Sequence, residues 1–216
     1  PSPGIDRMTA MRLDHVSYAC TPGELAEVVQ RIGSELGAAF VDGGIHPSFG
    51  TRNFILPLAD NVYVEVVAAL DHPAADKAPF GRAVRHRAEE GGGWLGWVVA
   101  VDDIAPVEEQ LGRASVAGHR IRPDGTELRW RQIGVLDLID DPQVPYFIAW
   151  QDEACHPARD GGPVQLASIE LNGDPETLAT WLGSVDVPTQ ITWVTDDEPG
   201  IVACGFQTPR GFVRID

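Results

Sequence analysis

Leu13-Asp14-His15-Val16-Ser17-Tyr18-Ala19 and Val62-Tyr63-Val64-Glu65-Val66-Val67 decide how this chain is read. Each has strand length and a largely apolar composition. Each also carries one side chain able to hold a metal or move a proton, His15 in the first and Glu65 in the second. Neighbouring side chains of a strand point to opposite faces. Leu13, His15, Ser17 and Ala19 therefore share one face, and Val16 and Tyr18 the other. Tyr63, Glu65 and Val67 share a face, while Val62, Val64 and Val66 make an apolar ridge. The polar faces are expected to line a cavity and the apolar faces to pack on helices. A buried glutamate without a partner is costly, so Glu65 needs a base, a donor or a cation beside it.

Working outward, the same opening occurs three times. The strand from His15 runs into Thr21-Pro22 and then Leu25, Val28, Val29, Ile32 and Leu36, one face of a helix. Gly96-Trp97-Val98-Val99-Ala100-Val101 runs into Asp102-Asp103 and a helix through Val107 and Leu111. Ala167-Ser168-Ile169-Glu170-Leu171-Asn172 runs into Asp174-Pro175 and a helix to Leu182, with Asp174 as cap and Pro175 in the first turn. A repeated opening of this kind argues for a module used more than once. After each helix come strand-like stretches, with turn signals at Asp60-Asn61, Pro123-Asp124-Gly125 and Glu198-Pro199-Gly200. The expected fold is α+β, with two tandem βαβββ modules forming a curved mixed-sheet cup and a C-terminal βαββ unit. The expected boundaries are a loose N-terminal arm at 1–11, module one at 12–70, a linker at 71–92, module two at 93–150, a linker at 151–163 and the C-terminal unit at 164–216. The first linker is expected to hold a short helix around Gly81 to Glu89. The last unit is expected to pack beside the cup or to make a homodimer contact.

The chain has 216 residues, and 44% of them are hydrophobic, enough for a sizeable core. It carries 32 acidic against 16 basic residues, a formal charge of −16. Such a surface repels phosphate backbones, so nucleic acid is not an expected partner. No apolar run reaches the roughly 20 residues of a membrane helix, so no membrane partner is expected. Three scattered cysteines, Cys20, Cys155 and Cys204, make neither a zinc spacing nor a disulfide framework. Reduced thiols fit a cytoplasmic protein.

The order β-α-β-β-β, repeated, resembles the vicinal oxygen chelate superfamily, the glyoxalase/bleomycin-resistance/dioxygenase fold, and within it the glyoxalase-like branch. Leu13-Asp14-His15-Val16, Gly43 to Asn53, Tyr63-Val64-Glu65, Arg122 to Arg131 and Tyr146 to Trp150 carry the likeness. The resemblance implies an eight-stranded cup. In metal-dependent members each module gives one ligand from its first strand and one from its last. It implies action on a small oxygen-rich or carbonyl metabolite by an isomerase, a lyase or a dioxygenase. The alternative it allows is a metal-free protein of the bleomycin-resistance type that binds or sequesters a small molecule. The fold alone does not choose between them.

On this resemblance His15 and Glu65 are the catalytic candidates. His15 falls on the first-strand ligand position and Glu65 on the last-strand position of module one. In module two the corresponding positions, read by alignment, are Gly96 and Ile148, and neither ligates through a side chain. His46, in a Gly-rich loop, is the candidate replacement. A trio of His15, His46 and Glu65 suits zinc, iron or manganese. A hydrogen-bonded His15–Glu65 pair without metal is the other reading, and it makes a plausible general base. Asn53, Trp94, Arg129 and Trp150, with His46, are the candidate ligand-binding residues. Trp94 is expected to line the cup next to open space at Gly96, and Trp130 to face away from Arg129 and Arg131. His72, His86, His119 and His156 read as surface residues.

Overall fold

The computed structural model describes residues 11–183 and 190–216. The arm expected at the N-terminus lies, apart from Met11, outside the described residues. The first half runs β1 (Met11–Ala19), α1 (Leu25–Leu36), β2 (Val41–His46), β3 (Thr51–Pro57) and β4 (Tyr63–Ala69). The second half runs β5 (Gly93–Val101), α4 (Ala105–Leu111), β6 (Val116–Ile121), β7 (Glu127–Ile133) and β8 (Tyr146–Trp150). Between them lie α2 (Pro73–Lys77) and α3 (Pro79–Glu89). The eight strands curl until the sheet closes, in the order β1-β4-β3-β2-β6-β7-β8-β5. Within each half the first strand pairs parallel with the last. The halves meet through antiparallel β1–β5 and β2–β6 contacts.

Closure on the β2–β6 side depends on Gly44, and close packing of β2 on β3 depends on Gly43. Gly44 takes φ 102°, and a Cβ there would collide with the Ile121 carbonyl across the seam. A Cβ on Gly43 would collide with the side-chain oxygen of Asn53. The stretch read as a Gly-rich loop is thus strand β2, and its last residue, His46, is held inside the barrel rather than on a flexible flap.

The barrel wall separates two cores. Outside it, Val16, Val64 and Val66 pack with Ile32 and Leu36 of α1, as the apolar ridge requires. That core continues to the C-terminal unit, β9 (Gln165–Asn172), α5 (Pro175–Trp181), β10 (Ile191–Val194), β11 (Gly200–Thr208) and β12 (Gly211–Ile215). Asp174 caps α5 through the Thr177 amide, with Pro175 in the first turn. The strand order there is β10-β9-β11-β12, with β9 parallel to β10. The first strand therefore pairs with the strand right after the helix, so this unit shares the modules' opening and not their strand order. Inside the barrel, Val67, Val98, Ala100 and Ile148 pack with Phe80, Ala83 and Val84 of α3. The linker helix thus forms part of the inner wall.

Candidate functional site

The barrel interior holds a small cavity lined on one side by His15, His46, Asn53, Tyr63 and Glu65. On the other side stand Arg120, Trp130, Gln132, Tyr146, Ile148 and Trp150, with Phe49 and Phe80 between them. The strand registers explain this asymmetry. His15 pairs with Tyr63, and Val98 pairs with Tyr146. With Tyr146 set on Tyr63, Val98 occupies the position of His15 and Ile148 that of Glu65. By the same registers Trp130 stands for Asn53 and Arg120 for His46. The expected counterpart of His15, Gly96, is two residues off. Its open space is also absent, because a Cβ at Gly96 would meet Leu138. The first half supplies the titratable imidazoles and the carboxylate; the second supplies one cation, the Tyr146 hydroxyl, Gln132 and largely apolar walls.

His15 is fixed from three sides. A register shift in the β1–β5 ladder falls between Leu13 and His15 and leaves Asp14 as the extra residue. Asp14 is fully buried, and its Oδ2 accepts from His15 Nδ1 at 2.7 Å. Its Oδ1 accepts from His156 Nε2 at 3.0 Å and from Trp150 Nε1 at 2.9 Å. Arg12 donates to the same oxygen at 3.4 Å. Burial pushes the Asp14 pKa up, but the hydrogen bonds and charges of His15 and His156 outweigh it and hold the group below the usual carboxylate range. A carboxylate only accepts, so His15 carries its proton on Nδ1 in the neutral ring and turns the Nε2 lone pair inward. Tyr63 stacks on the imidazole at 4.3 Å between centroids, which locks the ring plane.

The Nε2 of His15 faces Tyr146 Oη at 3.4 Å and Glu65 Oε2 at 3.9 Å. Burial raises the Glu65 pKa; the charges that His15 and His46 carry when protonated, and hydrogen bonds from Ser17 and Asn53, bring it below the ordinary glutamate value. Ser17 Oγ donates to Oε2 and Asn53 Nδ2 to Oε1, each at 2.6 Å. The partner required for Glu65 is thus met by two donors. Burial pushes the His46 pKa down to about 3, so this ring is neutral near pH 7. Its Nδ1 bonds Thr51 Oγ1 at 2.8 Å, and its Nε2 lies 3.4 Å from Asn53 Nδ2. Tyr146 is buried, which raises its pKa well above the ordinary value and keeps its hydroxyl protonated.

The expected metal trio does not fit this arrangement. The Asn53 amide nitrogen, a donor, stands between Glu65 and His46, and both Glu65 oxygens already accept hydrogen bonds. Among the described residues no three His, Cys, Asp or Glu side chains gather as a coordination set.

The structure brings His15, His46, Asn53, Glu65 and Trp150 together. Trp94 and Arg129 stand elsewhere. Trp94 lies on the outer core against Phe206 and donates to the Ile215 carbonyl at 3.0 Å. Arg129 is exposed and pairs with Glu127, while Trp130 faces in as the alternation predicts. His156, read as a surface residue, is buried on Asp14. Asp14, Arg120 and His156 were missed, and Tyr63 and Tyr146 were not named as site residues. For these two the signal was present: Tyr63 shares the Glu65 face of β4, and Tyr146 is its counterpart on β8.

A family profile described as "Glyoxalase-like domain" matches residues 13–185. No curated protein matches the chain. Among solved structures, a hypothetical protein from Staphylococcus aureus superposes with a TM-score of 0.61 at 14% identity, over 96% of this chain and 86% of that one. At that identity the likeness shows the fold alone. Methylmalonyl-CoA epimerase from Mycobacterium tuberculosis gives 0.42 at 16% identity, over 64% of this chain and 86% of that one. A Streptomyces coelicolor methylmalonyl-CoA epimerase in complex with 2-nitronate-propionyl-CoA gives 0.44 at 13%, over 65% and 98%. Among the described residues no helix is long and apolar enough to cross a membrane. The family match spans most of the chain, and the βαβββ pairing agrees with it: the chain belongs to the glyoxalase-like domain family.

Proposed function

We propose that the chain is an isomerase- or lyase-type enzyme that moves a proton on a small carbonyl metabolite, with His15 as the general base. The observation that carries this reading is the buried Asp14–His15 pair, whose geometry leaves a lone pair on Nε2 facing the cavity. In the step, Nε2 takes a proton from a carbon next to a carbonyl. The C–H electron pair becomes the C=C bond of an enolate, and the carbonyl oxygen takes the negative charge. Tyr146 Oη, still protonated, is the donor positioned for that oxygen. Asp14 at Nδ1 and Glu65 near Nε2 stabilise the imidazolium that forms. Return of the proton to another position or face completes the isomerisation. A positioned base of this kind contributes roughly 10²- to 10⁴-fold to the rate.

The cavity is about 20 Å³, room for about one water molecule. Substrate atoms therefore reach His15 only when a wall side chain gives way. The test is exchange of carbon-bound hydrogen for deuterium in D2O, followed by NMR over a panel of small 2-oxo and 2-hydroxy acids and neutral ketones. The wild type is expected to catalyse exchange in a panel member, and His15→Gln to lose it at least 100-fold while staying folded. Exchange that survives His15→Gln, or none with any member, contradicts the reading.

A further inference from the structure

The position opposite His46 holds a charge that the protein itself leaves largely unanswered. Arg120 is only 2% exposed. Among the described residues its one side-chain hydrogen bond, from Nη1 to Asn53 Oδ1, is long at 3.4 Å. Its Nε finds no acceptor, and no ion pair includes it, among the described residues. A buried guanidinium is normally matched by a carboxylate in bidentate contact, because taking it out of water is costly. Burial pulls the Arg120 pKa below its ordinary value although Glu65 and Asp14 nearby raise it, which agrees with a charge compensated only at a distance.

Arg120 is also placed where an outside molecule can meet it. It belongs to the wall of the inner cavity and to the wall of an outer cleft of about 420 Å³. Arg122 and Arg159 line the same cleft and give hydrogen bonds to backbone carbonyls of Cys155 and Ala154. Of the cleft's acids, Asp42 is held by Arg52, and Asp124 and Asp160 stand at the surface. In a chain of net charge −16 the three arginines of this cleft stand against three aspartates, and Arg120 is the one of them whose buried Nε finds no acceptor, with no ion pair either, among the described residues.

We propose that Arg120 is the anchor for a carboxylate on the substrate, entering from the outer cleft, so that the natural substrate is an oxo acid rather than a neutral carbonyl compound. This rests on the proton-transfer reading for the chemistry at His15, but not for the binding itself. The carboxylate would complete the guanidinium's hydrogen bonds and leave the reacting carbon on the His15 side of the Asn53–Glu65 pair.

The test compares pyruvate with pyruvamide, which keeps the shape and removes the charge. Calorimetry measures both affinities, and the ¹⁵N signal of Arg120 Nε is followed as each is added. Pyruvate is expected to bind roughly 10- to 100-fold more tightly than pyruvamide and to shift the Arg120 Nε signal. Arg120→Gln is expected to lose that preference, whereas Arg129→Gln keeps it. Equal affinities for the two probes, or an Nε signal that does not respond to pyruvate, overturn the proposal without any variant. His15→Gln separates the two readings. Pyruvate binding that persists there while exchange is absent even in the wild type sinks the catalytic reading and leaves the anchor standing. Exchange on neutral ketones as fast as on oxo acids sinks the anchor and leaves the catalytic reading standing.

Discussion

Replacing Asp14 by Asn keeps the side chain's shape and removes its charge, so it isolates what the carboxylate does. Asn Oδ1 can still accept from His156 and Trp150, which reach Asp14 Oδ1 at 3.0 and 2.9 Å. The amide nitrogen then meets His15 Nδ1 across the 2.7 Å contact. Two N–H donors cannot face each other there, so His15 moves its proton to Nε2 and accepts through Nδ1. A charge-assisted hydrogen bond worth about 1.5–3 kcal/mol becomes a neutral one worth about 0.5–1.5 kcal/mol. Because burying an amide costs less than burying a carboxylate, the net stability loss is about 1 kcal/mol. The chemical loss is much larger. With its proton on Nε2 the ring presents no base to the cavity, and exchange falls roughly 10²- to 10⁴-fold. Asp14→Ala behaves oppositely: it strands the N–H groups of His15, His156 and Trp150. At about 1–3 kcal/mol for each buried orphan donor, it removes much of the roughly 5–15 kcal/mol typical of a domain. Urea unfolding and the exchange rate measure the two effects. An Asp14→Asn protein that retains full exchange, or an Asp14→Ala protein as stable as wild type, refutes the reasoning.

Acid should destabilise the fold through His46. Its folded pKa, about 3, lies below the unfolded value of 6.5, so as pH falls the unfolded chain takes up the proton first. Its contribution is complete above about pH 6.5 and is lost progressively towards about pH 3. By about pH 5 the loss is roughly 2 kcal/mol, and His46→Gln is expected to remove that part of the pH dependence in urea titrations; an unchanged slope contradicts it. Asp14 adds a separate loss at lower pH. Its depressed folded pKa makes its stabilisation present above the unfolded value near 3.8 and lost below it. Trp94→Phe removes the bond to Ile215 and is expected to lower stability by about 1–2 kcal/mol while leaving exchange and carboxylate binding unchanged. A loss of binding would return Trp94 to the site.

Much of this was legible from pattern. The α1 face, the apolar ridge of β4 and the position of Glu65 followed from periodicity, and the structure keeps all three. Strict alternation, however, puts Asp14 on the Val16 face. Only the irregularity in β1 turns it into the partner of His15, and no residue type announces that shift. Arg120 was hidden because β6 inverts the usual code, with Val116 and Ile121 exposed and the arginine buried. His156 sits in a segment that reads as a polar linker, and long-range packing alone brings it to Asp14. Trp94 was misassigned because both faces of β5 are buried, so its burial says nothing about which core it serves. The two-residue error at Gly96 has a similar origin. An apolar run offers no landmark for register, whereas the Tyr63 and Tyr146 pairings supply one.

The central claim is that Asp14 holds the His15 proton on Nδ1 and leaves Nε2 as a free base facing the cavity. Long-range ¹H–¹⁵N correlation of the histidine rings in the wild-type protein reads this directly. The predicted spectrum shows His15 protonated at Nδ1 and bare at Nε2. A His15 ring carrying its proton on Nε2 would contradict the account.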